Sequence, residues 1–255
     1  MNSTGPALAS VHRRRHVAIM GALALAALSW GFLTWIAVDM DSSLAQAMMP
    51  MSTRWSVANA MAVLSMWAIM MAAMMLPTAL PMIRVFVDLS LRNGEPARAR
   101  AFVAAYLFAW SSFSVAAALG QWALQSAGWL DPMSASASAS PGAALLLIAG
   151  AYQFTPLKRT CLARCRSPMG FLLGDWRAGT GGAWTMGLRH GLNCIGCCWA
   201  LMALLFVGGV MNLAWVAAVA LAVAIEKLAP GGERLGTLLG ILLIAAGASS
   251  FFGRL

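Results

Sequence analysis

Residues 57–83 read VANAMAVLSMWAIMMAAMMLPTALPMI, a run without one charged side chain. A helix needs roughly 20 apolar residues to cross the hydrocarbon of a bilayer, and this run exceeds that. Its Ala, Leu and Met are good helix formers. The apolar positions are continuous, whereas strands of a membrane β-barrel alternate apolar and polar residues. The stretch therefore predicts a transmembrane helix.

Similar runs recur along the chain. Seven candidate spans fall at about 17–38, 57–83, 102–127, 142–157, 188–211, 213–229 and 235–252. The fourth and sixth are short, so six is the alternative count. Composition agrees: 61% of residues are hydrophobic, 10% are charged and mean hydropathy is +0.77. Soluble domains carry about 25% charged residues. A chain this apolar cannot cover a water-facing surface. The predicted fold is an all-α polytopic transmembrane bundle, with a basic N-terminus at 1–16 and a single helical membrane domain at 17–255.

Basic residues set the orientation. With the N-terminus in the cytoplasm and seven spans, 15 of the 17 Lys and Arg fall inside, and only Arg54 and Arg254 fall outside. A bacterial inner membrane, crossed several times, is the expected location. The net charge of +9 is then a topology signal, and a nucleic-acid partner is not expected. The first span is read as a retained helix, because its apolar run exceeds the 7–15 residues of a signal-peptide core. Loops are expected at about 39–56 outside and at 84–101 and 158–187 inside. The Ser/Ala repeat from Ser134 to Ser140 reads as a flexible external loop. With only eight Asp and Glu, carboxylate catalysis has little material, and no enzyme motif stands out.

Sulfur is the unusual element. There are 18 Met in 255 residues. At about 100° per residue, Met66, Met70 and Met74 form one helical stripe, with Met71 and Met75 forming a second beside it. Met also fills irregular gaps between helices, so packing is the ordinary alternative. Thioether and thiolate ligands select Cu(I) over harder cations. An external group, Met40, Met48, Met49 and Met51, lies near Asp39 and Asp41.

All five Cys fall into two clusters. Cys161 and Cys165 lie in a basic segment whose Lys158, Arg159, Arg164 and Arg166 are expected to favour the thiolate. Cys194, Cys197 and Cys198 share a helix face with His190, one turn earlier. Both clusters are expected near the cytoplasmic side, where disulfides are disfavoured and neighbouring thiols bind metal or do redox chemistry. Cu(I) is the expected metal. Zinc is the rival, since four thiolates suit it, and an iron–sulfur cluster comes third. Glu226 and Lys227, adjacent in the sixth span, cannot face each other. Each is expected to pair elsewhere, with Lys227 able to snorkel to the interface.

Four motifs in order carry a resemblance. They are Met66-Trp67-x-x-Met70-Met71-x-x-Met74-Met75-x-Pro77; Tyr152-Gln153-x-Thr155-Pro156-Leu157-Lys158-x-x-Cys161-x-x-x-Cys165-Arg166-x-Pro168; Gly187-x-x-His190-Gly191-x-x-Cys194-x-Gly196-Cys197-Cys198-Trp199-x-Leu201-Met202; and Glu226-Lys227. Over roughly 57–250 the chain resembles the predicted metal-binding integral membrane proteins of bacteria. Members are implicated as membrane copper chaperones for tyrosinase-type oxidases. The resemblance implies a metal site on Cys161, Cys165, Cys194, Cys197 and Cys198 and a Met motif on Met66, Met70, Met71, Met74 and Met75. It implies a copper-requiring enzyme or another copper carrier as partner. A metal permease, a metal-free structural subunit and a thiol oxidoreductase are the competing functions.

Overall fold

The structure is a computed structural model that describes residues 4–131 and 135–252, with side chains described from Arg13 to Phe251. The helices are α1 (Thr4–Val38), α2 (Ser43–Met48), α3 (Val57–Arg92), α4 (Pro96–Ser126), α5 (Ala139–Tyr152), α6 (Pro156–Arg166), α7 (Pro168–Asp175), α8 (Gly179–Ala203), α9 (Leu205–Gly208), α10 (Leu213–Leu228) and α11 (Gly232–Phe252). Among the described residues there is no strand, only an isolated bridge between Leu130 and Ala137. The all-helical expectation holds. Among the described residues five stretches are long and apolar enough to cross a membrane: Arg13–Val38, Val57–Arg92, Pro96–Ser126, Gly179–Gly208 and Gly232–Phe251.

The expected internal loops are largely helical. The 84–101 segment is a continuation of α3, a turn at Asn93–Glu95 and the start of α4. The 158–187 segment holds α6, α7 and the first turns of α8. Local chemistry explains these starts. Thr155 and Ser167 cap α6 and α7 through their hydroxyls, and each is followed by a proline, which suits a first helical position. Ser56 and Asn59 form a capping box that starts α3. The Ser/Ala repeat is packed rather than loose: the Ala137 amide donates to the Phe206 carbonyl and Ala135 is buried. Its Ser134 end and Arg254 lie outside the described residues.

Pro77 and Pro81 sit inside α3 without ending it. Pro77 has no N–H, so the Ala73 carbonyl loses its helical partner. The Trp30 indole of α1 donates to that carbonyl at 3.1 Å, which ties α1 to α3. Small residues set the other close contacts. A Cβ on Gly187 would lie 2.3 Å from the Phe102 carbonyl oxygen, and one on Gly191 would lie 2.5 Å from Ala109 Cβ. Positions rise together along both chains, so α4 and α8 run side by side in parallel. Gly150 against Gly240, and Gly247 against Ala143 and Leu147, make α5 and α11 antiparallel.

One end of the bundle gathers ion pairs: Arg15 with Asp88 at 3.2 Å, Arg98 with Glu95 at 2.8 Å, and Arg189 with Asp175 at 2.5 Å. Arg98 is buried, with its guanidinium 4.4 Å over the Trp176 ring. The opposite end is closed by Trp122 donating to the Thr53 carbonyl and Gln125 donating to the Pro50 carbonyl.

Candidate metal centre

The α5 and α10 helices have 14 and 16 residues, short of the roughly 20 needed to span. Their ends stop partway along the bundle. Tyr152, the last residue of α5, donates its hydroxyl to the Gly196 carbonyl of α8. Lys227, near the end of α10, reaches Cys194. Both meet α8 roughly midway along the Gly179–Gly208 stretch. Cys194, Cys197 and Cys198 are buried and lie just past the midpoint of that stretch.

The two Cys clusters converge. Cys165 Sγ lies 4.0 Å from Cys197 Sγ. Cys161 packs on α8 so closely that a Cβ on Gly196 would fall 2.7 Å from its sulfur. All five thiols are free. Cys197 and Cys198 each donate to the Cys194 carbonyl at 3.0 Å, which orients both sulfurs toward their own helix.

Lys227 occupies the middle of the sulfur set. Its Nζ lies 2.9 Å from Cys194 Sγ, 3.6 Å from Cys198 Sγ and 3.7 Å from Met75 Sδ. The side chain is buried, so it does not snorkel. Tyr106 adds a hydroxyl 3.2 Å from Cys194 Sγ and 3.2 Å from the Met75 carbonyl. Glu226 turns the other way. It pairs with Lys158 at 2.6 Å and accepts from Gln153 at 3.1 Å, all buried. Arg166 donates to the carbonyls of Glu226 and Ala229, and so pins the end of α10 to α6.

These commitments change the reading of the basic segment. Lys158 and Arg166 are engaged with α10 and do not serve the thiols of their own helix. Burial pushes the Cys161 thiol up from its ordinary value, and the Arg164 charge offsets that only in part. Cys165 is raised as well, first through its contacts with Cys194 and Cys197 and then by burial. Of the expected cations, Arg164 is the one that favours the thiolate of Cys161, and burial outweighs it.

The methionine stripes are buried: Met66, Met70, Met71, Met74 and Met75 are each at most 2% exposed. Met75 is the one whose sulfur contacts Lys227 in the sulfur set. Met70 lines a small cavity with Leu33, Val210 and Met211, away from the thiols. His190 shares the α8 face with Cys194 but is held among rings, with Phe102, Tyr106 and Phe171 at 5.9, 5.6 and 5.6 Å. Its Nδ1 is buried and has no hydrogen-bond partner among the described residues. Met40, Met49 and Met51 line a separate cavity of about 760 Å³ with Asp41, and Met48 is buried.

Among the described residues no three His, Cys, Asp or Glu side chains converge to hold a metal. Two thiols and a thioether, those of Cys194, Cys198 and Met75, lie within 3.7 Å of the Lys227 nitrogen. Soft ligands of that kind suit Cu(I).

The family model described as "PpoB2: Copper chaperone" matches residues 64–250. The chain belongs to this family. No curated protein and no solved structure gives a significant match. The matched region begins in α3, before Met66, and runs into α11, so it contains every sulfur of the centre.

Tyr106, whose hydroxyl touches Cys194, is the residue at the sulfur set that the sequence pattern did not single out. The signal was present, since Tyr occurs only twice in a chain with 21 Phe and Trp, and both tyrosines bond into the thiol region. Pairing of Glu226 with Lys158 was also unreadable, because 68 residues separate them.

Proposed function

We propose that this copper chaperone family member is a multi-pass membrane protein that binds Cu(I) on Cys194, Cys198 and Met75 and delivers it to a copper-requiring enzyme or a second carrier. The observation that carries this reading is the convergence of two thiols and a thioether, from α8 and α3, on the position held by the Lys227 ammonium. Cys197, Cys165 and Cys161 continue the thiols toward α6 and form an exchange path. His190 and the α3 methionines Met66, Met71 and Met74 are buried on the two helices that carry the centre, and Met70 lines a cavity away from it. Binding releases thiol protons, since the thiolate is the ligand. Transfer needs no bond chemistry beyond ligand exchange, so the protein acts without catalysis.

The membrane reading is supported by five long apolar stretches and by cations gathered at one end. The proposed orientation places that end and the N-terminus in the cytoplasm of a bacterial inner membrane. The α5 and α10 helices are too short to span alone, and the proposed count of seven within a single helical domain at 17–255 takes each of them together with the residues that follow it as one crossing.

The experiment is metal analysis of detergent-purified, reduced protein after equilibration with Cu(I), beside a Cys194→Ala/Cys198→Ala variant. Stoichiometric copper lost in the variant supports the site; stoichiometric copper retained in it refutes the assignment. A permease is the second reading, favoured by the buried α3 methionines. Copper uptake into proteoliposomes, measured against empty vesicles, separates it from a chaperone.

A further inference from the structure

Lys227 is a cation buried among sulfurs. Its hydrogen-bond partners are Cys194, Cys198 and Met75. The neighbouring carboxylate, Glu226, is already matched by Lys158 at 2.6 Å. An ammonium buried this way is costly unless opposite charge lies beside it. The nearest group in reach is the Cys194 sulfur at 2.9 Å, with the Cys198 sulfur at 3.6 Å, and both supply negative charge when a bound metal ion replaces their thiol protons. The Tyr106 hydroxyl faces the same sulfur and is neutral in its ordinary form.

We propose that Lys227 is a specificity-determining residue: its fixed positive charge makes the thiol centre select a monovalent soft cation over a divalent one. This rests on the copper-binding reading above. Two thiolates, the ammonium and one monovalent ion sum to zero net charge. A divalent ion in the same place leaves an uncompensated positive charge in a buried, low-dielectric site. The Lys227 ammonium yields the central position by a shift of its flexible stem and remains as counter-charge. Without Lys227 the sum reverses, and the divalent ion becomes the neutral choice.

One unit charge at about 4 Å, in a medium of effective dielectric about 20, changes an equilibrium constant on the order of a thousandfold. Relaxation and water entry reduce that, so the expected shift is at least tenfold. The test uses the full-length, reduced protein in detergent, dialysed against buffered Cu(I) and Zn(II) together. The wild type, Lys227→Met and Lys227→Arg are compared. Lys227→Met is expected to move the Cu(I)-to-Zn(II) occupancy ratio at least tenfold toward zinc, and Lys227→Arg to leave it near wild type. A wild-type ratio in Lys227→Met, or an equal shift in Lys227→Arg, overturns the inference and leaves the copper reading standing. Binding of neither metal by the wild type overturns both. If Lys227→Met does not fold, Lys227→Gln, which also removes the charge but keeps a polar end, is compared with the wild type in its place; the same shift toward zinc is expected, and a wild-type ratio overturns the inference.

Discussion

Replacement of Glu226 by Gln tests how the ends of α5, α6 and α10 are held together. The Glu226 carboxylate lies 2.6 Å from Lys158 Nζ, with both side chains 3% exposed, and accepts from Gln153 at 3.1 Å. Gln keeps the shape and one acceptor but removes the charge. Lys158 then stays buried with no counter-ion, and breaking a buried pair in this way costs about 3–5 kcal/mol. Against a typical total stability of about 5–15 kcal/mol, that is a large fraction. Lys158→Met alone should cost a similar amount. The double variant Lys158→Met/Glu226→Leu should recover most of the loss, because apolar replacement of a whole buried pair is often neutral. The assay is urea or thermal unfolding in a fixed detergent, followed by tryptophan fluorescence. A loss below about 1 kcal/mol in either single variant would refute the buried-pair argument, since that is the range of exposed pairs. A double variant as unstable as the sum of the singles would refute it equally.

Other perturbations separate packing from ligation. Met75→Leu conserves volume and should cost less than about 1.5 kcal/mol of stability, yet it removes the thioether. Cu(I) affinity, measured by competition with a chromogenic chelator, should fall by at least about tenfold, the loss typical even of groups behind the first ligands. Met61→Leu, at an exposed position on the same helix, should leave affinity unchanged. Gly191→Val forces a Cβ against Ala109 Cβ, where only 2.5 Å is available. It should cost about 1–3 kcal/mol by overpacking, read as a lower unfolding midpoint. Cys161 lies outside the long apolar helices, and burial raises its thiol. Its thiolate fraction is therefore smaller than that of an ordinary cysteine at neutral pH. In a variant retaining only this thiol, iodoacetamide labelling should be slow near pH 7 and accelerate at a higher pH than for free cysteine.

Much of the fold was legible because lipid imposes simple rules. Long apolar runs gave the stretches at Arg13–Val38, Val57–Arg92, Pro96–Ser126, Gly179–Gly208 and Gly232–Phe251. What the runs do not encode is depth. Tyr152 and Lys227, at the ends of α5 and α10, reach α8 midway along it, and Gln153 reaches Glu226 of α10; those partners come from distant segments. Segments 84–101 and 158–187 looked like loops because they are charged. Capping hydroxyls, prolines at first helical positions and bonds to α10 nevertheless make them largely helical.

The centre was partly legible. Three Cys within five residues, at helical spacing, pointed to a thiol face, and that face is present and buried. The meeting of Cys165 with Cys197 and of Met75 with Lys227 depends on how α6, α3 and α10 pack on α8, which spacing along a chain does not contain. Five methionines were equal in the sequence pattern. Only packing distinguishes Met75, whose sulfur faces Lys227, from Met70, which lines a cavity elsewhere. Lys227 is the clearest case. A lysine near a helix end normally extends toward water, and here three sulfurs hold it inside.

The central claim is that Cu(I) sits in an all-sulfur set made by Cys194, Cys198 and Met75. Copper K-edge X-ray absorption on the reduced, Cu(I)-loaded protein tests it most directly. The account predicts a low-coordinate shell of sulfur alone, with sulfur scattering reduced in Met75→Leu. A shell dominated by nitrogen or oxygen, or one unchanged when Cys194 and Cys198 are both replaced by Ala, would contradict it.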